Sequence, residues 1–82
     1  AHLGDLGEAE RIAREGVFLA ERTEGNLFQG DSLMVLAEVL HRAGRHAESR
    51  ETAEQALNRY AQKGAVPAME RARTFLAELA PA

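Results

Sequence analysis

Three observations predict an all-α fold of stacked antiparallel helix hairpins, a superhelix built from helix pairs. Small and apolar residues recur at steps of three and four in four separate stretches, the spacing that lines up one face of a helix. Glycine and proline fall mostly between those stretches, with Gly7, Gly16 and Gly30 the ambiguous positions. The stretches also superimpose in pairs when the sequence is shifted against itself, by forty residues in one case and thirty-five in the other, as an internal duplication would leave them. Helices are expected at about 5–22, 31–43, 46–63 and 66–79, in a single domain over residues 1–82.

The first helix carries Ala9, Ala13, Gly16, Val17 and Ala20 as its packing stripe. A connector from Thr23 to Gly30 follows, where Gly25, Asn26 and Gly30 break the pattern; its apolar Leu27 and Phe28 are expected to tuck beneath the helices. In the second helix Leu33, Leu36, Ala37 and Leu40 share one side, and Asp31 or Ser32 can cap its start by accepting an unpaired backbone N–H. Gly44 marks the reversal, since a turn there calls for a left-handed residue. The third helix brings Ser49, Ala53, Ala56, Leu57 and Tyr60, a stripe of mostly small residues that allows close approach. Gly64 stops it, and Pro67 falls in the first turn of the fourth helix, where a missing N–H costs nothing. Ala68, Met69, Ala72, Phe75, Leu76 and Leu79 form the last stripe.

A shift of forty carries the first stripe onto the third and aligns Leu3-Gly4-Asp5 with Ala43-Gly44-Arg45. A shift of thirty-five carries Leu33, Met34, Ala37 and Leu40 onto Ala68, Met69, Ala72 and Phe75. Helices one and three are therefore one type, B, and helices two and four the other, A. The order is B, A, B, A, with the first A absent. A start at Ala1 and a turn expected by Gly4 point to a fragment of a longer protein.

Composition narrows the function. With 82 residues the chain supports one small domain whose core is a strip between layers. A net charge of -3 with arginines scattered among glutamates gives no basic stripe for nucleic acid. There is no cysteine for a disulfide or thiolate site. No apolar run approaches membrane-spanning length and no signal-peptide pattern opens the chain, so a cytoplasmic segment is expected.

Residues 31 to 61 resemble the tetratricopeptide repeat: large Leu33, Leu36 followed by small Ala37, Leu40, a turn at Gly44, small Ser49 and Ala56, then Leu57. Ala53 stands where that family usually has an aromatic, Ala61 where it has proline, and the period is forty rather than about thirty-four. These features are similar to the long, degenerate repeats at the C-terminal end of large bacterial signalling proteins such as ATPase-linked transcriptional regulators and nucleotide cyclases. The use of arginine over lysine resembles what high-GC bacteria encode. The resemblance implies a non-catalytic scaffold that binds a protein or peptide. A stand-alone four-helix homodimerisation bundle is the alternative.

By the same resemblance the partner groove would be lined by Asp31, Met34, Val35, Glu38, His41 and Arg42, with Met69, Glu70 and Arg73 at matching positions of the fourth helix. Met34 and Val35 are also core candidates, and for Met34 the core is the favoured reading. A second apolar set, Ile12, Phe18 and Leu19, is absent from helix three, where Thr52, Asn58 and Arg59 stand instead; a self-association face there is expected, unless the N-terminal residues or Leu27 and Phe28 fold over it. No phosphate-cradling loop, metalloprotease motif or nucleophile with a base is present, and no cofactor or enzymatic activity is expected. His41, His46 and Glu48 flank the Gly44 turn, but a structural zinc site usually takes four ligands, so no metal is assigned. Glu10 with Arg14, Glu38 with Arg42 and Glu70 with Arg73 are spaced for ion pairs on solvated faces.

Overall fold

A computed structural model describes residues 3–22 and 25–79 of the chain. It contains α1 (Leu3–Glu21), α2 (Asn26–Arg42), α3 (His46–Lys63) and α4 (Val66–Leu79). Each helix packs on the next in sequence, α2 against α3 most extensively. The result is a flat slab of 36 × 34 × 17 Å, an open stack of the predicted kind.

The α2–α3 hairpin is the centre of the fold. Leu33, Leu36, Ala37 and Leu40 are all buried, as the three-and-four spacing requires. Facing them, Ser49, Ala53 and Ala56 are fully buried and Tyr60 nearly so. Small residues on both sides bring the helices close enough for the Ser49 hydroxyl to donate to the Ala37 carbonyl at 2.6 Å. The chain reverses through Gly44 at φ 82°, with the Arg45 amide donating back to the Leu40 carbonyl at 2.9 Å. The next reversal repeats this arrangement: Gly64 is left-handed and the Ala65 amide donates to Tyr60 O at 3.0 Å. In both turns the left-handed residue frees the following N–H to satisfy a carbonyl that the helix end leaves unpaired.

Two apolar clusters fill the slab. Leu33, Ala56, Tyr60, Ala68 and Ala72 join α2, α3 and α4, while Ala13, Leu36 and Leu40 join α1 to α2. Half-buried Val17 touches both. Arg50 reaches across to donate to the Leu79 carbonyl at 3.4 Å, among the last carbonyls of α4.

The structure corrects several expectations. The connector is shorter than Thr23–Gly30, because α2 begins at Asn26. Gly25 takes the cap position with no side-chain capping bond, so neither Asp31 nor Ser32 caps the helix. Gly30 lies inside it, fully enclosed against the ring of Tyr60. Phe28 is 54% exposed rather than tucked beneath the helices; Thr23 and the side chain of Leu27 lie outside the described residues. Gly4 belongs to α1, so the Gly44 turn has no counterpart there.

Candidate functional site

Alternating repeat positions leave a groove of about 600 Å³ between the two A-type helices, α2 and α4. Asp31, Met34, Val35 and Glu38 form the α2 wall. Glu70, Arg71, Thr74, Phe75 and Glu78 form the α4 wall, and Tyr60 of α3 closes the floor. The Tyr60 ring is 2% exposed, and its hydroxyl donates to the Asp31 carboxylate at 2.5 Å. Burial, and then the neighbouring Asp31 carboxylate, push the phenol well above its ordinary value, so it stays protonated.

Five of the nine sequence-predicted groove residues meet here: Asp31, Met34, Val35, Glu38 and Glu70. Met34 is half-buried and also packs on the core, so it serves both roles weighed for it. Met69 belongs to the core beside Ala68 and Ala72. Arg73 turns to Glu70 at 3.8 Å, and Arg42 is exposed outside the groove. His41 sits near its edge, with its ring 6.0 Å from that of Phe75. Most of the α4 wall does not follow from the sequence alignment, for a geometric reason. Equivalent positions on two parallel repeat helices point the same way, whereas the walls of a groove between them point toward each other. Apart from Glu70, the counterpart of Val35, the α4 residues that face α2 are therefore not those that match the α2 wall.

The charge lining is lopsided. Asp31, Glu38, Glu70 and Glu78 face a single guanidinium, that of Arg71. Asp31 holds the Tyr60 hydroxyl and Glu70 holds Arg73. The expected Glu38–Arg42 pair does not form, and among the described residues neither Glu38 nor Glu78 has an ion-pair partner. Met34, Val35 and Phe75 supply apolar surface between these carboxylates.

At the Gly44 turn the structure brings His41 and His46 together, Nδ1 to Nδ1 at 3.1 Å. It directs Glu48 elsewhere, to Arg45 at 2.6 Å and Arg14 at 3.3 Å. Both arginines also hold Glu10, at 2.6 Å from Arg45 and 2.8 Å from Arg14. Glu10, Arg14, Glu48 and Arg45 thus form a closed ring of alternating charge that ties α1 to the start of α3. Sequence spacing showed only the Glu10–Arg14 edge of it.

Ile12, Phe18 and Leu19 are each more than half exposed; Ile12 and Leu19, about two turns apart, share one side of α1, and Phe18 stands away from them. Six residues separate Ile12 from Phe18, which places them about 120° apart around the helix. Phe18 lies instead under the Arg22 guanidinium, 5.1 Å from the ring centre.

A family model described as tetratricopeptide repeat matches residues 1–15 and 28–55, just over half of the chain. The chain belongs to the tetratricopeptide repeat family. The two matched segments fall on α1 and on the α2–α3 hairpin, in keeping with a B-type helix followed by an A–B pair. No curated protein and no solved structure gives a significant match. Tetratricopeptide repeats mediate protein–protein interaction and are in general not catalytic. Among the described residues no helix is long and apolar enough to cross a membrane.

Proposed function

We propose that this tetratricopeptide segment is a non-catalytic scaffold whose α2–α4 groove holds a basic, amphipathic peptide of a partner protein. The observation that carries the reading is the pair of unpartnered carboxylates, Glu38 and Glu78, set around Met34, Val35 and Phe75 in one groove. Apolar side chains supply burial, and methionine adapts to varied shapes. Carboxylates at the rim select lysine or arginine flanking the anchor and raise the rate of encounter. On this reading the segment belongs to a larger bacterial signalling or regulatory protein in the cytoplasm, linking other domains or recruiting a partner; Lys63 as the sole lysine among ten basic residues supports the bacterial assignment.

A designed helical peptide of leucine and lysine, compared with its glutamate-for-lysine counterpart, tests the charge preference by fluorescence anisotropy. The lysine peptide binds saturably, more weakly in high salt and more weakly to Glu38→Arg, while the melt of that variant stays unchanged. Equal binding of both peptides, or no effect of Glu38→Arg, overturns the assignment.

A further inference from the structure

A second groove, about 450 Å³, opens between α1 and α2. Ile12, Ala13 and Gly16 line it from α1, Val35 and Val39 from α2. Its position in the repeat register identifies what it fits. A shift of forty carries Ala9, Ile12, Ala13 and Gly16, all on its α1 wall, onto Ser49, Thr52, Ala53 and Ala56. Those four residues of α3 are buried. The covering helix is α2, through the Ser49–Ala37 hydrogen bond and the packing of Leu33 with Ala56. A shift of thirty-five carries Val35 and Val39 onto Glu70 and Thr74, which stand on the α4 wall facing α2. The α3–α4 pair therefore seats α2, and the open groove is the same seat on the α1–α2 pair.

The two seats differ in chemistry. Thr52, Glu70 and Thr74 of the filled seat are replaced by Ile12, Val35 and Val39 in the open one. Ile12 and Val35 are 56% and 54% exposed. Gly16 bares its backbone to the groove, with nothing within 4 Å of a β-carbon built there. We infer that the open seat binds one amphipathic α-helix supplied by a partner from outside residues 1–82. That helix presents leucine and small residues to α1 as α2 does to α3, and is apolar at the places corresponding to Asp31 and Glu38, where it would meet Val35 and Val39. A folded second copy cannot supply this stripe, because its Leu33, Leu36 and Leu40 are themselves buried at 3%, 5% and 1% exposure.

The test uses a fluorescent peptide of the α2 sequence, Asn26–Arg42, carrying Asp31→Ala and Glu38→Leu, added to the full chain. Saturable binding is expected. It weakens by about tenfold or more in the chain variants Gly16→Leu, which fills the groove from a position with open space, and Ile12→Glu, which charges it. The chain variant Glu54→Arg, at an exposed position of α3 outside both grooves, leaves binding unchanged, and the same peptide with Leu33→Asp does not bind. Melting curves establish that the variants fold. Absence of binding, equal binding to Gly16→Leu, or a dimer of the chain alone that Gly16→Leu abolishes in sedimentation would overturn the inference, the last by giving the seat to a second copy.

Discussion

Gly30 of α2 packs against Tyr60 of α3 so closely that a β-carbon at Gly30 would stand 2.6 Å from Cε1 of the ring. The ring cannot retreat, being 2% exposed and held through its hydroxyl to Asp31. Alanine is the better helix former by about 1 kcal/mol, so propensity and packing oppose each other at this position. Packing wins: Gly30→Ala is expected to lower stability by about 1–3 kcal/mol in urea melts. In a Tyr60→Leu background the same change should cost much less, and an undiminished cost there would place the strain elsewhere.

Gly16 supplies the control within the same chain. It also lies in a helix interior, but a β-carbon there meets nothing within 4 Å. Gly16→Ala should raise stability by about 0.5–1 kcal/mol through backbone entropy and propensity. A loss on melting would mean that the α1 face is closed in solution.

The close contact of α2 and α3 sets opposite limits on size at two positions. Leu40 is 1% exposed and joins α1 to α2, so Leu40→Ala leaves a cavity and should cost about 2–5 kcal/mol. Ala56 is fully buried beside Leu33 and Tyr60, so Ala56→Leu should cost about 1–3 kcal/mol by overpacking. Melts showing neither loss would refute the helix register.

The four-residue charge ring joining α1 to α3 gives a salt and acid signature. Hydrogen bonding to Arg14 first, and then to Arg45, holds the Glu10 carboxyl below its ordinary value of 4.5. A carboxylate depressed in the folded state contributes stability that is present above the unfolded value and is lost as pH falls through the folded one. Glu10→Gln should therefore melt lower than the parent near neutral pH in low salt, and the gap should close below the ordinary carboxylate range and in high salt. A gap independent of both would show that packing, not charge, is responsible.

The helices and most of the core were legible in the sequence because they rest on local periodicity. Leu33, Leu36, Ala37 and Leu40 fall on one face whatever surrounds them, and all four are buried. The start of α2 was not legible, because Gly30 reads as a breaker unless Tyr60, thirty positions later, is known to lie against it. The α2 wall of the groove was legible through the repeat alignment, and of the α4 wall only Glu70 was. An alignment matches like with like, while Arg71, Thr74, Phe75 and Glu78 face α2 from positions unlike its own. The charge ring fails for the same reason, since Glu10 and Arg45 are distant in sequence and meet only across helices.

Tyr60 is the sole tyrosine and the chain has no tryptophan, so phenolate absorbance reports this one floor residue of the groove. Burial first, and then the Asp31 carboxylate that accepts its proton in a hydrogen bond, raise its value above the ordinary 10.0. The sign follows from linkage: a group that holds its proton more tightly when folded contributes stability fully present below its unfolded value and lost as pH rises toward the folded one. The native chain should therefore show no phenolate at pH near 10, where the urea-unfolded chain is half ionised, and phenolate should appear together with the loss of helical circular dichroism. Tyr60→Phe removes the hydrogen bond to Asp31 and should cost about 1 kcal/mol near neutral pH, yet it should lose less stability than the parent between neutral and alkaline pH. Phenolate appearing near 10 with the helices intact would mean that Tyr60 is open to solvent, and the floor of the α2–α4 groove with it.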